Sequence, residues 1–296
     1  MTLTVESKLA LNDGQFIPQL GLGVWQTRAG AMCEAAVLAA LEAGYRHIDT
    51  AALYGNEESV GAAIRESGIP REQIFVTTKL WNSDHGNPER ALDTSLRKLK
   101  FDHVDLYLIH YPVRQRRQSW RALEALRAKG KARSIGVSNF TIRHLTELLA
   151  ETKTVPAVNQ VEFHPYLYQR DLLDFCARRA IVLEAYSPLT KGARLKDAKL
   201  VAIAKKYSQA GVERVARSRL PLVDRLSRRS ETKSTAQILI RWALQHGLAV
   251  IPKSANRQRI FENADVFDFE VTSEDMQILD RFNENLRTCW DPTEAP

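Results

Sequence analysis

The chain has 296 residues, of which 44% are hydrophobic and 26% charged, a composition typical of a globular protein and not of a disordered or fibrous one. Its net charge of +7 favours anionic ligands, but we expect neither a signal peptide nor a membrane span, because no apolar run is long enough. The three cysteines, Cys33, Cys176 and Cys289, are scattered, which disfavours a disulfide framework and predicts a reducing, cytoplasmic location.

The first predicted element is a β-hairpin. Two short strands, 8–11 and 15–18, flank Asn12-Asp13-Gly14, and Asp-Gly is a preferred turn between antiparallel strands. We expect this hairpin to cover the bottom of the domain that the following elements form.

Eight short apolar or β-branched segments follow, with helical segments between them. In chain order the predicted strands are 20–24, 46–49, 74–80, 105–110, 134–139, 159–163, 182–187 and 249–254. Eight alternations of strand and helix indicate a parallel sheet closed into a (β/α)₈ TIM barrel. The predicted fold class is therefore α/β, with a single domain over residues 1–296.

Several connections carry helix boundaries. Pro88 begins a predicted helix, where its missing N–H costs nothing, and Gly68 and Gly130 end two others. After the eighth strand, Thr272 and Asp275 have the spacing of a capping box and predict an extra C-terminal helix.

One segment, at about residues 208–233, departs from the alternation. It holds seven Lys or Arg and three Asp or Glu, so it carries +4 of the net charge of +7. Because a regular helical pattern resumes at 234–246, we interpret the segment as a basic insertion outside the barrel and remote from Tyr54. It has no aromatic residue that could stack on a base, which disfavours nucleic-acid binding.

Residues capable of acid–base chemistry collect at one rim of the predicted barrel. Catalytic groups of such barrels project from the C-terminal ends of strands. Three successive predicted strands end near Asp49, Lys79 and His110, and Tyr54 follows the first of them. Singly, each has a purely structural explanation, such as a helix cap for Asp49 or a core contact for His110. Four of them at one rim favour a reactive site.

These four side chains suit the protonation of an oxygen atom. A tyrosine titrates near pH 10, and a neighbouring ammonium such as Lys79 is expected to lower the pKa of Tyr54. Asp49 would hold Lys79 in place, and His110 can donate a hydrogen bond to a substrate oxygen. Such a set meets the needs of carbonyl reduction.

Seven segments of the chain form recognisable motifs between about residues 9 and 286. They are GYRHIDTAALYGNEESVG, TTKLW, DLYLIHYP, IGVSNF, NQVEFHP, AYSPL and IPKSANRQRIFEN. In sequence and order they resemble the motifs of the aldo-keto reductase family. The resemblance implies that Asp49, Tyr54, Lys79 and His110 form a catalytic tetrad in which Tyr54 is the general acid. It also implies NADPH as the hydride donor.

The resemblance further implies a set of cofactor contacts along the barrel mouth. The nicotinamide carboxamide would be held by Ser138, Asn139 and Gln160, and Tyr186 would stack under the nicotinamide ring. Ser187 and Leu189 would line the pyrophosphate. The adenosine 2′-phosphate end would lie against Lys253, Ser254, Arg259, Glu262 and Asn263.

The substrate pocket is expected to be aromatic. Its predicted walls are Trp25, Trp81 and Tyr111, the last at a position where the family often has tryptophan. The short tail at 287–292 falls where the family has its specificity loop. It resembles the tails of bacterial members that reduce 2,5-diketo-D-gluconate, methylglyoxal and simple aldehydes.

Other classes of function stay open on the sequence alone. A barrel lyase would use Lys79 to form a Schiff base, and a binding module would use the basic insertion. A Rossmann site is disfavoured, because Gly21-Leu22-Gly23 is followed by Gln26 and not by the glycine of GxGxxG. The histidines lack zinc-site spacing, so no metal is expected. The expected state is a monomer that acts on a small molecule, without nucleic-acid or membrane partners.

Overall fold

The computed structural model describes residues 2–207 and 233–296, and its central element is a sheet of eight parallel strands in chain order. They are β3 (Leu22–Gly23), β4 (His47–Asp49), β5 (Phe75–Leu80), β6 (Val104–Ile109), β7 (Ala132–Ser138), β8 (Val158–Glu162), β9 (Val182–Tyr186) and β10 (Ala249–Ile251). The N–H of Gly21 donates to the carbonyl of Val250, whose own N–H donates to Gln19. These bonds join the first strand to the last, so the predicted TIM barrel is confirmed.

Helices cover the outside of this barrel. They are α1 (Ala31–Glu42), α2 (Glu57–Glu66), α3 (Pro88–Leu99), α4 (Arg116–Ala128), α5 (Ile142–Leu149), α6 (Arg170–Ala177), α7 (Ala198–Lys206), α8 (Thr235–Gln245), α9 (Arg257–Ala264) and α10 (Ser273–Asp280). Among the described residues, none of these helices is long and apolar enough to cross a membrane. Both α7 and α8 lie between β9 and β10, one before and one after the segment at 208–232.

The predicted N-terminal hairpin is present and closes the bottom of the barrel. Its strands, β1 (Lys8–Ala10) and β2 (Phe16–Pro18), pair in antiparallel fashion. Leu11 and Ile17 are buried in an apolar cluster with Phe75, the first residue of β5. Because the hairpin covers the N-terminal ends of the strands, the C-terminal rim is the end left open for a site.

The extra C-terminal helix, α10, is also present, although its cap differs from the predicted capping box. Thr272 accepts a hydrogen bond from the N–H of Asp275, as expected. The carboxylate of Asp275, however, accepts from the hydroxyl of Tyr207 and from Lys206. The Thr272 N–H is satisfied by the Tyr207 hydroxyl. The helix start is thereby tied to the end of α7.

The two residues that flank the undescribed segment lie next to each other. The N–H of Lys233 donates to the carbonyl of Tyr207 at 2.9 Å. The largely buried Lys233 ammonium pairs with Asp265 and Asp268 at 2.8 and 2.7 Å. Lys233, the last residue of the predicted insertion, is thereby attached to the barrel. The insertion itself lies outside the described residues, so its position remote from Tyr54 stays a prediction.

Candidate active site

The four predicted catalytic side chains meet at the C-terminal rim. Asp49 ends β4, Lys79 lies in β5, His110 directly follows β6, and Tyr54 ends a 3₁₀ turn after β4. The ammonium nitrogen of Lys79 is 2.7 and 2.8 Å from the two carboxylate oxygens of Asp49. It is also 2.8 Å from the carbonyl of Thr50 and 3.3 Å from the hydroxyl of Tyr54. The phenol thus sits at the end of a buried ion pair.

The pKa of Tyr54 differs from the one expected from the sequence. Burial raises the pKa of Tyr54 well above its ordinary value, and the negative charge of Asp49 adds to this. The predicted net lowering of this pKa is therefore wrong, because burial and Asp49 outweigh the effect of the Lys79 ammonium, which is already paired with both oxygens of Asp49. Burial and Lys79 hold the pKa of His110 well below its ordinary value. At neutral pH Tyr54 carries its proton and His110 is a neutral imidazole.

A cavity of about 960 Å³ opens at this rim. Asp49, Tyr54 and His110 line it, whereas Lys79 lies buried beneath. The residues predicted to contact the cofactor line it as well: Ser138, Asn139, Gln160, Tyr186, Ser187, Leu189, Lys253, Ser254, Arg259, Glu262 and Asn263. The structure therefore brings together, around one cavity, residues from several strands, the loops that follow them and helix α9.

The end of the cavity around Tyr54 is walled by aromatic rings. Trp25 lies 4.8 Å from the Tyr54 ring, and Tyr111 stacks on His110 at 4.9 Å with an angle of 8° between the planes. Trp290, from the C-terminal tail, packs edge-on against Tyr111 at 4.8 Å. Trp25, Tyr111 and Trp290 line the cavity.

Trp81, the third residue predicted for this wall, does not line the cavity. Its ring packs edge-on against His110 at 5.3 Å and against Tyr111 at 5.8 Å. It therefore supports two rings of the wall.

The C-terminal tail is fixed over the cavity by a buried carboxylate. The backbone N–H groups of Thr288 and Cys289 donate to Glu162 at 2.8 and 3.1 Å. The ammonium of Lys191, in the loop after β9, donates to the carbonyl of Thr288 at 2.7 Å. These bonds place Trp290 at the aromatic wall, where the sequence predicted a specificity loop.

Gln160 indicates what the polar side of the cavity can hold. Its amide nitrogen is 2.7 Å from Asp49 and 2.8 Å from Glu184, so both of its N–H bonds are used. The opposite orientation would place the amide oxygen of Gln160 against two carboxyl groups, so the orientation of the amide is fixed. The amide oxygen is then left to accept a hydrogen bond from the cavity. An acceptor at this position fits the NH₂ group of a nicotinamide carboxamide.

The other end of the cavity carries two exposed cations. Among the described residues, neither Lys253 nor Arg259 forms an ion pair, whereas Arg257 of the same helix pairs with Glu42. Asn256 caps α9 by accepting from the N–H of Arg259. A helix N-terminus with unpaired cations favours a phosphate group. The residues present therefore fit a phosphorylated dinucleotide.

One alternative from the sequence, a lyase, receives no support from this geometry. A Schiff base at Lys79 needs a free amine that faces the substrate, but this ammonium is wholly buried and bonded to Asp49 and Thr50. Within residues 2–207 and 233–296, no group of three or more His, Cys, Asp or Glu could hold a metal ion.

One buried acid of this region, Glu184, was missed by the sequence patterns. It lies inside β9, is wholly buried, and contacts Gln160 beneath the tetrad. The available signal was an acidic residue within an otherwise apolar strand segment, VLEAY.

A TIM barrel with a Tyr–Lys–Asp–His cluster at one end of its cavity and two exposed cations at the other fits a nicotinamide-nucleotide-dependent oxidoreductase that acts on carbonyl groups. The family model of the aldo/keto reductase family matches residues 19–284. The chain is 44% identical over 297 residues to a glyoxal reductase of Bacillus subtilis, with 99% of each chain covered. It is 41% identical over 291 residues to a methylglyoxal reductase of Escherichia coli, with 97% of each covered.

Among solved structures, an aldo-keto reductase of Bombyx mori in complex with NADP matches with a TM-score of 0.84, 36% identity and 99% of each chain covered. The chain belongs to the aldo/keto reductase family, and its cofactor is NADP(H).

Proposed function

We propose that the protein reduces the aldehyde group of small, uncharged 2-oxoaldehydes, such as glyoxal and methylglyoxal, with NADPH and with Tyr54 as the proton donor. One observation carries the proposal. Tyr54 lines the cavity and keeps its proton at neutral pH, and its hydroxyl lies 3.3 Å from the Lys79 ammonium. Two relatives with similar sequences are a glyoxal reductase and a methylglyoxal reductase.

The proposed reaction adds a hydride and a proton across the C=O bond. The substrate oxygen lies between Tyr54 and His110, and the neutral imidazole donates its N–H to that oxygen. NADPH supplies the hydride that the carbonyl carbon accepts. Tyr54 transfers its proton to the oxygen, which leaves a phenolate. Lys79, held by Asp49, stabilises this phenolate, so the ion pair acts when charge develops on Tyr54.

The residues that would bind the cofactor divide by chemistry. Ser138, Asn139 and Gln160 would hold the carboxamide, with the hydroxyl of Tyr186 fixing Asn139 through a 2.7 Å hydrogen bond. Tyr186 would also stack under the nicotinamide ring. Ser187 and Leu189 would line the pyrophosphate. The 2′-phosphate would lie against Lys253, Ser254, Arg259, Glu262 and Asn263, where the exposed cations are.

The aromatic wall favours uncharged substrates. The rings at the Tyr54 end of the cavity are those of Trp25, His110, Tyr111 and Trp290. Of the cations that line the cavity, Lys253 and Arg259 lie at the cofactor end, and the ammonium of Lys191 is already bonded to the carbonyl of Thr288. We therefore rank methylglyoxal and glyoxal above 2,5-diketo-D-gluconate as substrates.

We further propose that the enzyme works as a monomeric single domain in the cytoplasm. Its three cysteines are free thiols, with Cys33 and Cys176 buried and Cys289 half-buried at the cavity. Free thiols of this kind suit a reducing compartment.

The test combines a substrate panel with the Tyr54→Phe variant. Wild type should oxidise NADPH with methylglyoxal and glyoxal and form the corresponding alcohols. Tyr54→Phe keeps the ring and loses the proton, so kcat should fall by about 10²–10⁴-fold in single-turnover reduction, with NADPH affinity unchanged. Tyr168→Phe likewise removes only a hydroxyl, from a ring that packs on Trp242 and does not line the cavity, and serves as the matched control, with kcat within a few-fold of wild type.

Two results would contradict the proposal. A Tyr54→Phe enzyme that turns over within a few-fold of wild type would make His110 the leading candidate for the acid. A wild-type enzyme that reduces the sugar acid efficiently and the small aldehydes poorly would show that the aromatic wall does not select as argued.

A further inference from the structure

Beneath the tetrad, the barrel interior holds a second carboxyl group that the reaction above does not use. Glu184 is wholly buried, and its Oε2 atom accepts from the same amide nitrogen of Gln160 that donates to Asp49. The other oxygen, Oε1, has no hydrogen-bond partner among the described residues. It lies 3.5 Å from Nε2 of His47. One amide therefore bridges two buried carboxyl groups.

The charges around Glu184 do not balance a second carboxylate. Asp49 and His47 face it from β4, and Lys79 faces it from β5. Beside it, β10 contributes only Ala249–Ile251. The single ammonium, that of Lys79, is already bonded to both oxygens of Asp49. Burial and Lys79 lower the pKa of His47 to about 3, so His47 is not a cation at neutral pH. Glu184 has no counter-ion of its own.

We propose that Glu184 is a positioning residue that keeps a proton during turnover, holds the Gln160 amide oxygen toward the cofactor, and slows proton donation by Tyr54 when it ionises. The proposal rests on the function proposed above, in which Tyr54 is the acid. A buried carboxyl without a counter-ion is held neutral, and a neutral carboxyl still accepts the hydrogen bond of Gln160.

Glu184 should ionise within the pH range that ordinary enzyme assays cover. Burial and the charge of Asp49 raise the pKa of Glu184 to about 8. Once ionised, Glu184 adds a second negative charge beside the tetrad and further disfavours the phenolate of Tyr54. Tyr54 itself keeps its proton in this range, because its own pKa is raised. The rate of reduction should then fall by about tenfold as pH rises through this region.

Glu184→Gln tests this role, because glutamine has nearly the same shape and cannot ionise. At neutral pH its kcat for methylglyoxal should stay within a few-fold of wild type, and the alkaline fall should be absent. Glu57→Gln is the matched control, since Glu57 is also wholly buried but bonds to Thr78 outside the active site. This control should keep the wild-type fall. An unchanged fall in Glu184→Gln, or an equal loss of kcat at every pH, would overturn the proposal.

Two measurements that do not depend on catalysis test whether Glu184 is protonated. A glutamate titrates near pH 4.3 in the unfolded chain, so the folded protein with its raised pKa binds a proton that unfolding releases. The free energy of unfolding of wild type should therefore fall more than that of Glu184→Gln as pH rises from about 5 to about 8.5. Equal falls contradict the proposal.

Infrared titration of wild type covers the case in which the variant does not fold. The carbonyl stretch of a protonated buried carboxyl should be present at neutral pH and disappear with a midpoint near the Glu184 pKa of about 8. A wild-type spectrum without this band overturns the proposal. Both measurements can succeed in a protein that reduces no aldehyde, which separates this proposal from the proposed function.

Discussion

Replacement of Lys79 by methionine would leave the Asp49 carboxylate buried without its cation. Their side chains are 0% and 3% exposed, and the ammonium supplies two hydrogen bonds to the carboxylate. Breaking a buried pair by removing one partner costs about 3–5 kcal/mol of unfolding free energy. We expect Lys79→Met to lose that amount at neutral pH, and to lose kcat about as severely as Tyr54→Phe because the phenolate has no cation.

The loss of unfolding free energy in Lys79→Met should be smaller at acidic pH, because the folded variant takes up a proton there. Burial already raises the pKa of Asp49 in the wild type, against the lowering by Lys79, so the removal of Lys79 raises this pKa further. The folded variant then binds a proton that the unfolded chain releases, so its stability increases as pH falls toward the unfolded pKa. The deficit relative to wild type should therefore be smaller at about pH 5 than at about pH 7.5.

Urea unfolding of a double-mutant cycle measures this coupling. The Asp49→Asn, Lys79→Met double variant has no unpaired charge and should be more stable than Lys79→Met alone. Lys98→Met is the control, because Lys98 is half exposed and 3.8 Å from Glu57, so its loss should cost at most about 1 kcal/mol. The reasoning fails if Lys79→Met is no less stable than this control, or if the second substitution restores nothing.

Two further outcomes follow from the described contacts. Arg259→Ala should weaken the binding of NADPH by about ten- to a hundredfold and that of NADH far less, since a charge-assisted hydrogen bond contributes about 1.5–3 kcal/mol. The control is Arg257→Ala, which removes a cation of the same helix that is paired with Glu42. It should change neither affinity in fluorescence titrations. Equal losses for both cofactors in Arg259→Ala would make that residue structural. An enzyme in which Asn-Gly replaces residues 208–232 should keep most of its kcat. The N–H of Lys233 already donates to the carbonyl of Tyr207 at 2.9 Å, which is the hydrogen bond that closes a β-turn, so two residues suffice to connect them. A folded variant without turnover would place the insertion at the active site.

The sequence by itself determined the architecture and the identity of the cluster at the rim. Strand-length apolar segments alternate with capped helices, and such local patterns need no knowledge of distant contacts. Asp49, Lys79 and His110 end successive parallel strands, and the C-terminal ends of parallel strands converge at one rim. Their meeting could therefore be predicted, and with it the place of Tyr54.

Only the tertiary structure decided how these groups behave. The pKa of Tyr54 is raised because burial and Asp49 outweigh a lysine that is already paired. Trp81 packs against His110 and Tyr111 and supports the wall without lining the cavity. The amide of Gln160 is oriented by Asp49, 111 residues away in the chain. The burial of a group and the balance of charges around it depend on side chains from strands that are remote in the sequence. Local sequence patterns therefore do not predict them.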